Sequence, residues 1–241
     1  MKRPEFLKAI LKDMAIKPRY VQEHIEYLNI PDMLTISFPM SCFCDIPLSK
    51  VNTHMEYYGE YGIALDKRIC LGKDFQPITY LNINSRFTKD FSDSLKLLFS
   101  EEEEIEDKWK YLPNFLLNVL LYSKPIEGIM SRYTENDERI FQDECEWRYI
   151  PQLPSDMYLI LPENMNTDKG RETFSKALAL NSNKSSWLHF EVDDLVYIIV
   201  PDENAAIDIM SYIKRLHISR NDKDKLISKI EIANRFDINL I

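Results

Sequence analysis

Glycine is scarce in this chain, with five in 241 residues. Neither GxGxxG nor a GxxxxGKS/T loop occurs, which argues against a glycine-rich cradle for phosphates. Only four histidines are present. The zinc-protease pattern HExxH and the deaminase pattern HxE with a later PCxxC are both missing. No Ser-His-Asp set stands out. The four cysteines (Cys42, Cys44, Cys70 and Cys145) lack framework spacing, so free thiols in a reducing cytoplasm are the simplest expectation. Long apolar runs are absent too. Phe115–Tyr122 and Val196–Val200 fall far short of the roughly 20 residues a spanning helix needs, so no membrane association is expected. The opening MKRPEFLKAILKDM is interrupted by charges and does not read as a signal peptide. Basic residues number 30 against 39 acidic ones, a net charge of −9. That balance argues against a nucleic-acid surface and suits docking to a basic partner.

What is present is an ordinary globular composition, 45% hydrophobic and 29% charged, in a chain long enough for a real core. Apolar residues at three- and four-residue spacing predict a helix over 4–15, and Pro18 stops it. A second short helix is expected from Arg19 to Tyr27. Residues 34–44 alternate and carry β-branched and aromatic side chains, predicting a strand broken or kinked at Pro39. Ser49 is placed as N-cap of a helix from Lys50 to Tyr58, with Gly59 as its left-handed terminus. Strands are expected at 61–66 and 77–83, and two helices within 90–123. The acidic run Glu101–Glu104 lies between those helices as a solvated end. Further strands are expected at 126–133, 146–151, 157–161 and 195–200. Helices are expected at 172–180, 205–216 (capped by Asp202) and 223–231. The fold class is therefore α+β: one mixed domain over 1–241 with a weak subdivision near 85–125. Its centre would be a mostly antiparallel or mixed sheet flanked by helices.

Residues 38–66 concentrate the rare chemistry. Two cysteines, one histidine, three tyrosines and two glycines fall in this window. His54 suits proton transfer near neutrality, or a partly buried hydrogen bond. Tyr57, Tyr58 and Tyr61 could stack on a planar ring, or simply pack the core. Gly62 would admit close approach of a ligand to backbone, or mark a bulge. Cys42 and Cys44 supply only two of the four ligands of a structural zinc site, so no metal is expected, and buried small residues in a strand is the better reading. Asp45 is placed as a cap for the turn before Pro47.

A second cluster is Asp143-Glu144-Cys145-Glu146-Trp147-Arg148. If Glu146 opens a strand, Glu144, Glu146 and Arg148 share one face. That is either a surface salt-bridge row or a catalytic carboxylate held by an arginine. Burial would raise its pKa and Arg148 would lower it, and sequence leaves the sign open. Arg19, Arg86 and Arg132 could each grip a phosphate, or sit ordinarily on the surface.

With both clusters in view, the stretch PMSCFCDIPLSKVNTHMEYYGEYGIALDK resembles the AbiGi family of bacterial abortive-infection proteins. The PITYLN strand, the EWRYIP segment at 146–151 and the IIVP at 198–201 carry the likeness further. The resemblance implies a role in phage resistance, as the antitoxin half of a two-gene system. A protein partner in a defence operon, a toxin or a phage-derived trigger, comes with it. A looser similarity links a His/Tyr pair and a late strand-borne glutamate to ADP-ribosyltransferases. That likeness implies NAD as cofactor and Glu146 and His54 as catalytic residues. Tyr57, Tyr61, Gly62, Arg19 and Arg148 would bind the cofactor. The departure is the lack of a conventional first-strand Arg or His motif, for which Arg19 is a distant stand-in. The leading expectation is a regulator that binds a partner, and the alternative is an NAD-consuming effector.

Overall fold

The computed structural model describes residues 1–100, 110–129, 138–181 and 184–235. The acidic run Glu101–Glu104, Arg132 and the second half of the expected 126–133 strand lie outside the described residues. The chain is mixed α+β, with both antiparallel and parallel strand pairs among the described residues. It falls into two compact units, each assembled from separate stretches. The first holds Met1–Lys17, Ile46–Phe75 and Trp187–Ile241, and the second holds Pro18–Asp45 and Gln76–Ser186. The described part of 85–125 belongs to the second unit.

In the first unit, the strand Leu195–Val200 runs between Gly62–Leu65, antiparallel, and Ile230–Ile232, parallel. Its apolar run matches that central position, with Leu195, Ile198 and Val200 all buried. Helix Pro4–Asp13 lays Leu7 and Leu11 against helix Glu203–Arg215, whose Ala206, Ile209 and Ile213 repeat at helical spacing. Each such fully buried large side chain contributes roughly 1.5–3 kcal/mol. Asp202 caps this helix as expected, accepting the Ala205 N–H at 2.8 Å. Helix Val51–Tyr58 packs on a smaller cluster of Val51, Ile199 and Ala233, with Met55 beside them. Ser49 is not its N-cap: the chain already turns in a 3-10 helix at Leu48–Lys50, and Lys50 occupies the cap position without a side-chain bond. Gly59 ends the helix at φ 100°, and a Cβ there would lie 2.5 Å from the Met1 carbonyl carbon. The expected helix at 223–231 is found as Arg220–Ser228.

In the second unit, three strands lie side by side: Arg19–His24, Thr35–Cys44 and Glu146–Tyr149, all antiparallel neighbours. Arg19–His24 replaces the expected second helix. Six paired positions, from Arg19 with Met40 to His24 with Thr35, outweigh local propensity, and only the 3-10 turn Glu26–Leu28 is helical. Pro39 does not break the long strand. Tyr20 opposes Pro39 and sends its own N–H outward to Ser175 Oγ at 2.9 Å, so no ladder bond is lost. One face of these strands carries Ile36, Phe38 and Met40. Helices Arg86–Phe99 and Leu112–Leu121 cover it with Phe91, Leu95, Leu116 and Leu120. The opposite face carries Tyr20, which packs with Leu161 and with Leu178 of helix Asp168–Leu180. Residues 157–161 are not a strand. Between Pro154 and Pro162 the chain makes only isolated contacts, such as Leu161 N–H to Ser37 O at 2.9 Å.

Candidate functional site

The densest chemistry in the second unit surrounds strand Glu146–Tyr149. Glu146 and Arg148 project from the same face, two residues apart, and Arg148 Nε donates to Glu146 Oε1 at 2.7 Å. Arg148 is fully buried. Its Nη1 donates to the Leu121 carbonyl at 2.6 Å, and its Nη2 lies 3.1 Å from Glu23 Oε2. That last contact is an ion pair, and among the described residues Nη2 has no hydrogen-bond partner. Lys124 Nζ reaches Glu146 Oε2 at 3.2 Å and Glu144 Oε2 at 3.5 Å, and rests 4.4 Å from the centre of the Phe141 ring. Arg139 Nη1 lies 3.5 Å from Glu144 Oε1. Backbone bonds lock the strand end: the Tyr80 hydroxyl accepts the Glu146 N–H at 2.8 Å, and Ile78 N–H donates to Glu146 O at 3.1 Å.

The row is thus a buried network and not a surface salt-bridge row. Glu144 joins it from the 3-10 turn Phe141–Glu144 instead of from the strand. Among the described residues, the carboxylates Glu23, Glu144 and Glu146 face the cations Lys124, Arg139 and Arg148. The sign left open by the sequence is now fixed. Burial pushes the Glu146 carboxyl up, but Arg148 and then Lys124 outweigh it and hold its pKa down at about 2. Glu146 is therefore permanently ionised near neutrality, with a cation on each oxygen.

Cys42 sits opposite Arg148 and Cys44 opposite Glu146 on the neighbouring strand. They are not simply buried small residues. Cys42 is exposed to solvent and Cys44 half-buried. Yet desolvation pushes the Cys42 thiol well up, with the Glu146 charge and a hydrogen bond to it adding. Burial likewise lifts the Cys44 thiol to about 12, so neither is a ready thiolate. Among the described residues no group of three or more His, Cys, Asp or Glu gathers in a metal-holding arrangement.

The other predicted site residues lie elsewhere. His54, Tyr57, Tyr61 and Gly62 belong to the first unit, while Arg19, Glu146 and Arg148 belong to the second. His54 is half-buried and its ring stacks on Tyr58, with centroids 4.4 Å apart and planes at 23°. Tyr57, on the same helix, is half-buried. Tyr61 works through its backbone: its N–H donates to Met1 O at 3.0 Å and its carbonyl accepts from the Met1 ammonium at 2.6 Å. Gly62 opposes Ile199 in the ladder. A Cβ there would meet Ile199 at an ordinary 3.5 Å, so close packing does not demand glycine. The register irregularity lies further along that ladder, between Leu195 and Tyr197. Arg19 is exposed at the start of its strand. Arg86 is exposed at the start of its helix, 3.5 Å from Asp90.

Sequence reasoning missed Glu23, Tyr80, Lys124 and Arg139. Glu23 alone left a signal: read as a strand, Arg19–His24 puts Val21 and Glu23 on one face. Tyr80 lies within the PITYLN segment but with nothing to mark its hydroxyl, and Lys124 and Arg139 come from stretches with no motif around them.

No solved structure matches the chain. Among curated proteins, an "Abortive phage resistance protein AbiGi" of Lactococcus lactis subsp. cremoris is 34% identical over 241 aligned residues, covering 90% of this chain and 96% of its own. The family described as "Putative abortive phage resistance protein AbiGi, antitoxin" matches residues 14–201, which include both the His54 helix and the Glu146 strand. The chain belongs to the AbiGi family of abortive phage resistance proteins.

Proposed function

We propose that this chain is an antitoxin-type regulator of a bacterial anti-phage system and acts in the cytoplasm by binding a protein partner. The observation that carries this reading is an apolar surface at the start of helix Leu112–Leu121. Tyr111, Leu112 and Phe115 are 72%, 44% and 61% exposed. The helix has only two polar residues in its ten, Asn114 and Asn118. A helix that is apolar nearly all round, yet open on one side, suits coverage by another chain. The family description names an antitoxin, and the net charge of −9 favours a basic partner. Among the described residues no helix is long and apolar enough to cross a membrane.

The alternative, an NAD-consuming effector with Glu146 as its catalytic carboxylate, draws less support. Both oxygens of that carboxylate already hold cations. The test is growth and plaque formation. Cells expressing the chain alone should grow normally. In cells carrying the whole defence locus, Phe115→Asp should disturb phage resistance or growth while the purified variant melts like the wild type. Growth arrest by the chain alone, relieved by Glu146→Gln at equal soluble protein, would overturn the binding reading.

A further inference from the structure

The second unit contains an open cleft of about 450 Å³ between the turn Glu26–Leu28 and helix Arg86–Phe99. Its size lies within the range of small-molecule sites, roughly 300–1,000 Å³. The lining has two kinds of wall. Tyr27 and Ile83 give an aromatic and an aliphatic surface, and Ile83 is 49% exposed although large and apolar. Arg86, Lys89 and Lys96 supply cations along the helix. Asp93, the one acidic group of the lining, is engaged by Lys96 at 3.1 Å. Arg86 is held only loosely, 3.5 Å from Asp90, and Lys89 has no ion-pair partner among the described residues. Two cations are thus available to a ligand. The local sign is opposite to that of the chain, and at physiological salt charges further than about 8 Å are largely screened.

We propose that this cleft binds a mononucleotide-sized ligand, its base against Tyr27 and Ile83 and its phosphates on Arg86 and Lys89. Tyrosine and aliphatic side chains take the flat, apolar face of a base. Arginine supplies paired donors to phosphate and lysine a compact point charge. Burial raises the Tyr27 phenol further, so it stays neutral beside the phosphates. None of the cleft's lining residues belongs to the Glu146 network, although the Tyr27 phenol feels the charges of Glu23 and Arg148, and the site stands apart from the partner-binding reading.

The test is calorimetric titration of the full chain with ADP, with pyrophosphate run in parallel. One saturable site is expected, weakened by raising salt. The double variant Arg86→Ala/Lys89→Ala should bind at least about tenfold more weakly while melting like the wild type, since both side chains lie at the surface. Pyrophosphate should bind clearly more weakly than ADP. Absence of saturable heat at millimolar ADP, or equal binding by the double variant, would overturn the site. Pyrophosphate binding as tightly as ADP would overturn the assignment of Tyr27 and Ile83 to a base.

Discussion

The helix Val51–Tyr58 and the strand Glu146–Tyr149 are the two most chemically marked segments, and they are held very differently. The helix has one buried residue, Val51, no side-chain N-cap, and a histidine stacked on its own neighbour. The strand is fixed by a fully buried arginine, a glutamate 5% exposed, and backbone bonds to Tyr80 and Ile78. Rare residues crowd the first segment, yet the strongest constraint lies in the second. The difference teaches that a dense motif and a tightly held site are separate properties, and burial with partner saturation tells them apart.

The contrast is broken most severely by removing the arginine. Arg148→Met should leave Glu23 without its cation and the buried Glu146 with Lys124 alone, at a cost of about 3–5 kcal/mol. Denaturant melting would show this, and soluble yield should fall. Adding Glu146→Leu should recover part of the loss, because the buried carboxylate is then gone and Lys124 keeps Glu144 as its partner. If Arg148→Met melts within about 0.5 kcal/mol of wild type, the network is not what holds the strand.

The same network sets an acid limit. The folded Glu146 carboxyl titrates at about 2 against an ordinary 4.5. Its contribution is therefore fully present above about pH 4.5 and is lost as pH falls towards 2. Each tenfold change in proton affinity corresponds to about 1.4 kcal/mol, so the loss is about 3 kcal/mol. Stability measured by denaturant between about pH 5 and 2.5 should fall less steeply in Glu146→Gln than in wild type.

Gly59 sharpens the comparison from the helix side. Gly59→Ala places a Cβ against the Met1 and Lys2 backbone at a φ of 100°, and should cost about 1–3 kcal/mol. Gly62 lies three residues on, and its Cβ would find ordinary space. Melting of the two alanine variants side by side should separate them clearly.

These differences mark how much could be read from sequence. Helix Glu203–Arg215 was legible because an aspartate cap and a helical apolar stripe are local signals. The shared face of Glu146 and Arg148 was legible from period two alone. The strand Arg19–His24 was not, since its pairing with Thr35–Cys44 decides its conformation and local propensity does not. The depth of the charge network was also hidden. Lys124 and Glu23 reach it from 22 and more than a hundred residues away, and only folding brings them to Glu146 and Arg148. Without those partners, the balance between desolvation and attraction had no sign.

His54 gives the smallest expected effect and the sharpest test of the helix reading. Its imidazole is half-buried and stacks on Tyr58 within the same turn of helix. Loss of the Tyr58 stacking alone is about 0.5–1 kcal/mol. Alanine returns part of that through its higher helix propensity, about 0.5 kcal/mol. His54→Ala should therefore destabilise less than Arg148→Met, which loses a fully buried charge. Phage resistance in cells carrying the variant then isolates function from folding. Resistance unchanged would mean that the histidine motif serves packing. Resistance lost, with the fold intact, would mark this helix as a working surface.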